Sequence, residues 1–155
     1  MNYIGIKPNN VEKTATQLNK LLSNYHVYYQ NLRNYHWNIS GEHFFDLHEK
    51  FEELYNEAKV NIDEIAERIL TLRKKPTSTL KEYLEEADIK EMPTLDSNEM
   101  VKNIIQNHAQ LIDNMRNVIE CAGEANDEGT IDMVGGFLAS VEKKSWMLDA
   151  WLAKS

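Results

Sequence analysis

Apolar residues recur at helical spacing in four long runs of the chain. The first carries Val11, Ala15, Leu18, Leu22, Tyr25, Tyr29 and Leu32 on one stripe, which predicts a helix capped by Asn9 or Asn10 and running to about Trp37. In the second, Phe44, Leu47, Phe51, Leu54, Tyr55, Ala58, Ile62, Ile65, Ala66 and Ile69 predict one helix from Phe44 to Leu72, ending before Pro76. The third starts at Asp96 or Ser97, with Glu99 placed for a capping return, and carries Val101, Ile104, Ile105, Ile112, Met115 and Ile119. The fourth follows the acidic, glycine-containing stretch Gly123 to Gly129 and carries Val134, Phe137, Leu138, Val141, Leu148, Trp151 and Leu152. No stretch alternates with the period of a strand. The fold class is therefore all-α.

The connections between the runs predict how they pack. Ser40-Gly41 marks a short turn between the first two helices, and the last two are also closely joined. Between the second and third lies a longer segment, in which Thr79 and Glu82 form a capping box heading a short helix, Leu80 to Ala87, and Pro93 breaks the chain. About 20 residues at about 3.3 Å each can cross the length of a helix of about 30 residues, so the second and third helices can run parallel. No repeat or linker divides the chain. The expectation is one domain, 1–155: a four-helix bundle with a short helix in the crossover.

Candidate chemistry sits on the first two helices. His36 closes one run and His48 opens the next, so both imidazoles fall near one end of a helical hairpin. Asp63 and Glu67, at i and i+4, share a face of the second helix. The fifteen positions from His48 to Asp63 separate the two pairs by about 22 Å along the axis, too far for one metal within one subunit. A two-fold axis laying the second helix antiparallel to its copy would bring the histidines of one chain to the carboxylates of the other, giving two sites per dimer. Imidazole with carboxylate suits divalent iron, manganese or zinc. The intrabundle di-iron alternative needs Glu-x-x-His pairs, and the residues three before the histidines are Ser23, Arg33, Ser40, Phe45 and Ile105. Blander roles exist for each residue, since a histidine at a hairpin also packs or caps and an i, i+4 acidic pair also makes a solvated face.

Composition narrows the partners. The chain has 155 residues with 17 basic and 25 acidic, a formal charge of −8, which disfavours nucleic acid and anionic membranes. Its one cysteine, Cys121, excludes an intramolecular disulfide framework, and the first residues lack the blocks of a secretory signal, so a cytoplasmic location is expected. No run is apolar enough for a membrane helix.

Asn34-Tyr-His-Trp-Asn38, Gly41, Phe44-Phe45, Leu47-His48-Glu49, Phe51-Glu52, Tyr55 and Asp63-Glu-Ile-Ala-Glu67-Arg68, together with Ser78-Thr-Leu-Lys-Glu-Tyr-Leu84, resemble the signature of the Dps-like miniferritins of the ferritin-like superfamily. The resemblance implies a hollow homo-dodecamer that oxidises ferrous iron, preferably with hydrogen peroxide, at sites shared between two-fold-related chains. It stores ferric mineral in the cavity and protects against oxidative stress. Carried over by position, His36 and His48 come from one subunit and Asp63 and Glu67 from the other. Glu52 occupies a position where many members have aspartate, and Trp37 is a candidate redox neighbour. The region around Asp127 and Asp132 corresponds to a three-fold iron-entry pore. The alternative is a DNA-packaging protein of the same fold. Lys7 alone among the first ten residues and the ending Ala153-Lys154-Ser155 argue against tail-mediated DNA binding.

Overall fold

The computed structural model describes residues 3–93 and 95–154. Among these residues there are five α-helices and no strand: α1 (Glu12–Asn38), α2 (Phe44–Thr71), α3 (Leu80–Glu86), α4 (Ser97–Glu124) and α5 (Glu128–Leu152), preceded by one 3-10 turn at Pro8–Asn10. Local chemistry explains most boundaries. Thr79 Oγ1 accepts the backbone N–H of Glu82 at 3.3 Å and donates to the Glu82 carboxylate at 2.7 Å, so α3 begins on its capping box. Asp96 accepts the Glu99 N–H at 3.0 Å and heads α4. The start of α1 differs from expectation. Pro8 opens a 3-10 turn that absorbs Asn9 and Asn10, and Val11 becomes the cap position without a side-chain bond.

Two helix ends use left-handed residues. Arg73 (φ 60°) lets Lys74 N donate to Ile69 O at 3.1 Å and its own N donate to Leu70 O at 2.9 Å. Asn126 (φ 56°) does the same at the end of α4, through Asp127 N to Ala122 O at 2.8 Å. Tyr3 adds a bond to the Thr71 carbonyl at 2.7 Å, satisfying one more orphan at the end of α2.

Side-chain pairs fix the topology. Tyr35 meets Asn103, Asn31 meets Asn107, Tyr28 meets His108 and Asn24 meets Asn114, so α4 descends as α1 ascends and the two are antiparallel. The turn at Gly41 (φ 93°) reverses α1 into α2, which is also antiparallel to α1. Hence α2 and α4 are parallel, as the long crossover requires. The crossover is fastened to α1 by asparagines. Asn19 holds Lys75 O and Thr77 N, Asn24 takes the N–H groups of Asp88 and Ile89, and Asn31 and Asn34 hold Lys90 O and both backbone groups of Met92. Each such bond contributes roughly 0.5–1.5 kcal/mol net. Burial of residues such as Leu18, Leu32, Phe51, Ile65, Ile69, Ile104, Leu111 and Met115, all sealed from solvent, contributes roughly 1.5–3 kcal/mol each and drives the fold. The asparagines decide where the crossover lies. No described helix is long and apolar enough to cross a membrane.

Candidate metal centre

The last turn of α1 and the first turn of α2 bring His36 and His48 face to face, their ring centroids 3.8 Å apart and their planes 14° from parallel. Each ring bonds the other residue's backbone: His36 Nδ1 to His48 O at 2.7 Å, and His48 Nδ1 to His36 O at 2.7 Å. A carbonyl oxygen only accepts, so each Nδ1 carries a proton, and the neutral form of each ring has its lone pair on Nε2. That is the arrangement by which metal-binding histidines are held in one tautomer and orientation.

Aromatic neighbours complete the clamp. Phe44, one turn before His48, stacks on its ring at 4.8 Å and 20°, and Tyr55 stands edge-on to His36 at 5.3 Å and 79°. His36 is 7% exposed and His48 half-buried, so the pair is rigid but reachable from one side. Glu52, one turn beyond His48, is exposed, and burial, reinforced by the Glu52 charge, raises the Tyr55 phenol above its usual range. The two imidazoles thus meet at one end of the hairpin, with Glu52 one turn beyond His48 on α2.

Asp63 and Glu67 lie elsewhere. Both are exposed on α2, and neither side chain makes an ion pair or hydrogen bond among the described residues. Their separation from His48, about 22 Å along the helix, follows from the unbroken helix α2. No group of three or more His, Cys, Asp or Glu suited to a metal forms among the described residues. Within one subunit the histidine pair and the Asp63–Glu67 pair lie far apart on the structure.

The chain matches the family model of the ferritin-like domain over residues 15–155. The DNA protection during starvation protein of Brevibacillus brevis is 45% identical over 139 residues, spanning 89% of this chain and 93% of the relative. General stress protein 20U of Bacillus subtilis is 42% identical over 142 residues, 91% of this chain and 98% of that one. The Dps structure from Vibrio cholerae O1, described as a member of a broad superfamily of ferritin-like diiron-carboxylate proteins, superposes with a TM-score of 0.96 at 43% identity, covering 99% of this chain and 97% of the other. The chain belongs to the Dps miniferritins.

In this Dps subunit the remaining candidates fall into distinct environments. Asp127, a candidate for the pore, is enclosed within the subunit. It is 1% exposed, it is the N-cap of α5, and both its oxygens are engaged: Oδ1 with Thr130 N at 3.1 Å and Arg68 Nη2 at 2.5 Å, Oδ2 with Thr130 Oγ1 at 2.5 Å. Assembly can only bury it further. The acidic cluster hid this, because the partner guanidinium comes from α2. Asp132, one turn on, is exposed. Trp37 is 57% exposed, with the Arg33 guanidinium 4.8 Å from its ring.

A miniferritin subunit also needs its helices tied, and sequence reading missed one tie. Glu57 on α2 accepts from Ser140 Oγ at 2.6 Å and pairs with Lys144 Nζ at 2.5 Å, binding α2 to α5. The other histidines are structural. His108 lies between Tyr28 and Ser145, and burial lowers it to about 4. His26 stacks on Tyr83 and is likewise lowered to about 4, while His43 sits between Glu42 and Asp46 against Trp151. Burial raises the Cys121 thiol above its ordinary range.

Proposed function

We propose that this chain is a ferroxidase subunit that binds ferrous iron between two copies of itself, oxidises it with hydrogen peroxide and stores the ferric product in a hollow dodecamer. The observation that carries the reading is the reciprocal Nδ1–carbonyl pairing of His36 and His48, which presents two Nε2 lone pairs from a preorganised stack. Glu52 adds a carboxylate from the same subunit, and Asp63 and Glu67 of a two-fold-related copy complete the set. The membership in the Dps miniferritins supports the assembly and the metal. Manganese or zinc suits the same donors.

The residues' roles follow from their chemistry. Neutral imidazoles tolerate the ferrous ion, while the anionic oxygens favour the more highly charged ferric product, so the site lowers the cost of losing an electron. Hydrogen peroxide accepts two electrons, and serving two ferrous ions reduces it to water without releasing hydroxyl radical. The cytoplasm, where ferrous iron and peroxide meet, is the place such a protein protects against oxidative stress. Trp37, next to His36 in sequence, would intercept a stray oxidising equivalent.

The DNA-packaging alternative is disfavoured by the formal charge of −8. The test is direct. Ferrous iron and peroxide added anaerobically to the metal-free protein should give rapid ferric absorbance, and His36→Ala should remove the fast phase while leaving the assembly intact. A wild-type rate in His36→Ala would overturn the reading.

A further inference from the structure

Arg33 is a strongly basic group one turn from the histidine pair, and its situation is unusual. It lies on α1 one turn before His36, so its side chain shares that face of the helix. Its guanidinium is 5.0 Å from the Tyr29 ring centroid and 4.8 Å from that of Trp37, held between two aromatic faces. Tyr29 packs edge-on against Tyr55 at 5.9 Å, and Tyr55 against His36 at 5.3 Å, so the guanidinium is built into the same aromatic frame as the metal-binding imidazole. Its charge is felt by the Tyr55 phenol, as is that of Glu52.

Among the described residues, Arg33 nevertheless forms no ion pair and no hydrogen bond. Glu91 lines the same groove of about 310 Å³, with Leu80, Leu84 and Tyr83, and makes no ion pair with it. A fixed guanidinium keeps five donors in a planar fork matched to carboxylates. Asp63 and Glu67 have no side-chain partner among the described residues, and the proposed function sends that pair to the histidine end of a second copy. Leu80, 76% exposed, and Leu84, 49% exposed, continue the Arg33 face as an apolar surface that a second copy would cover.

We propose that Arg33 is a positioning residue for the shared site: it hydrogen-bonds the Asp63–Glu67 carboxylate pair of the partner subunit, fixing the oxygens that do not hold the metal. This inference rests on the shared-site reading and adds a group to it. A metal-binding carboxylate presents one oxygen to the metal and needs a donor for the other, and such outer donors set affinity as well as orientation. Arg33 is suited to this because its guanidinium is already held over two rings before the partner arrives, so little side-chain entropy is lost on docking.

The experiment uses zinc, which is redox-inert, titrated calorimetrically into the metal-free assembly, with assembly state followed by sedimentation. Arg33→Gln should weaken zinc binding by about 10- to 100-fold. Arg33→Lys should recover only part of the loss, because an ammonium keeps the charge without the fork. Combining Arg33→Gln with Asp63→Asn and Glu67→Gln should cost no more than the two carboxylate changes alone. If Arg33→Gln prevents assembly, Arg33→Lys carries the comparison by itself. Zinc affinity unchanged in the Arg33 variants while His36→Ala abolishes binding overturns the Arg33 role and spares the shared site. Unchanged affinity in His36→Ala overturns both.

Discussion

Asp127→Ala separates a structural carboxylate from a pore carboxylate. The change removes the N-cap of α5 and strips Arg68, itself 19% exposed at its side chain, of a partner 2.5 Å away that is 1% exposed. Breaking a buried ion pair by deleting one member costs about 3–5 kcal/mol, and partial access of water to Arg68 places this case near the lower end. Loss of the cap costs about 1 kcal/mol, and the two effects share the same oxygens, so about 3–4 kcal/mol in total is expected. For a chain of this size each kcal/mol moves the midpoint by about 2–4 °C, a fall of roughly 6–16 °C. Circular dichroism melts at one fixed protein concentration, which holds subunit mass action constant, provide the assay. Asp132→Ala, at an exposed position, serves as the control and should stay within about 0.5 kcal/mol. Gly129→Ala should resemble Asp127→Ala in kind, since its Cβ would lie 2.7 Å from Arg68 Nη2. An unchanged melt in Asp127→Ala, combined with slowed iron entry, would refute the capping role and restore the pore.

Asp132→Asn is expected to slow iron uptake and flatten its dependence on salt, because attraction of cations by exposed carboxylates is screened over about 8 Å at physiological ionic strength. Uptake identical to wild type across a salt series would return Asp132 to the solvated surface. His108 makes stability pH-dependent with a definite sign: its folded value is lowered to about 4, so the unfolded chain binds the proton first and stability falls as pH drops from about 6.5 towards 4. His108→Asn should flatten the urea-unfolding slope in that window by up to about 1.4 kcal/mol per pH unit, and parallel slopes would show that the imidazole does not stay neutral. The protein should not retard DNA at neutral pH and about 150 mM salt, and tight retardation in metal-free buffer would reveal a basic patch that net charge conceals.

The sequence made some features visible because they are written in local spacing. Apolar stripes set the four long helices to within a residue or two, the Thr79–Glu82 and Asp96–Glu99 patterns placed two helix starts, and connection lengths implied the parallel pair. The incompatibility of His48 and Asp63 within one subunit also followed from helix rise alone. What escaped depends on partners distant in sequence. Asp127 looked like one of several acids at a helix start, and only Arg68, 59 positions away, converts it into a buried clamp. The roles of Asn19, Asn24, Asn31 and Asn34 depend on the crossover backbone beside them, which no spacing within α1 indicates. The tautomer of His36 and His48 depends on two carbonyls facing across a turn, a geometry that no spacing encodes. At the start of α1, Pro8 was the signal that Asn9 and Asn10 belonged to a 3-10 turn.

The central claim, that each oxidation site is made by two chains, is tested most directly by mixing. One variant lacks the imidazoles (His36→Ala with His48→Ala) and the other lacks the carboxylates (Asp63→Ala with Glu67→Ala), and each alone should be inactive. In a mixed two-fold pair, one site receives the surviving histidines of one chain and the surviving carboxylates of the other, while its twin receives neither. Random equal mixing makes half the pairs mixed, so co-assembly should restore about a quarter of the wild-type rate of ferrous oxidation. A rate that stays at the parental level, with mixing verified by native mass spectrometry, would contradict the shared site.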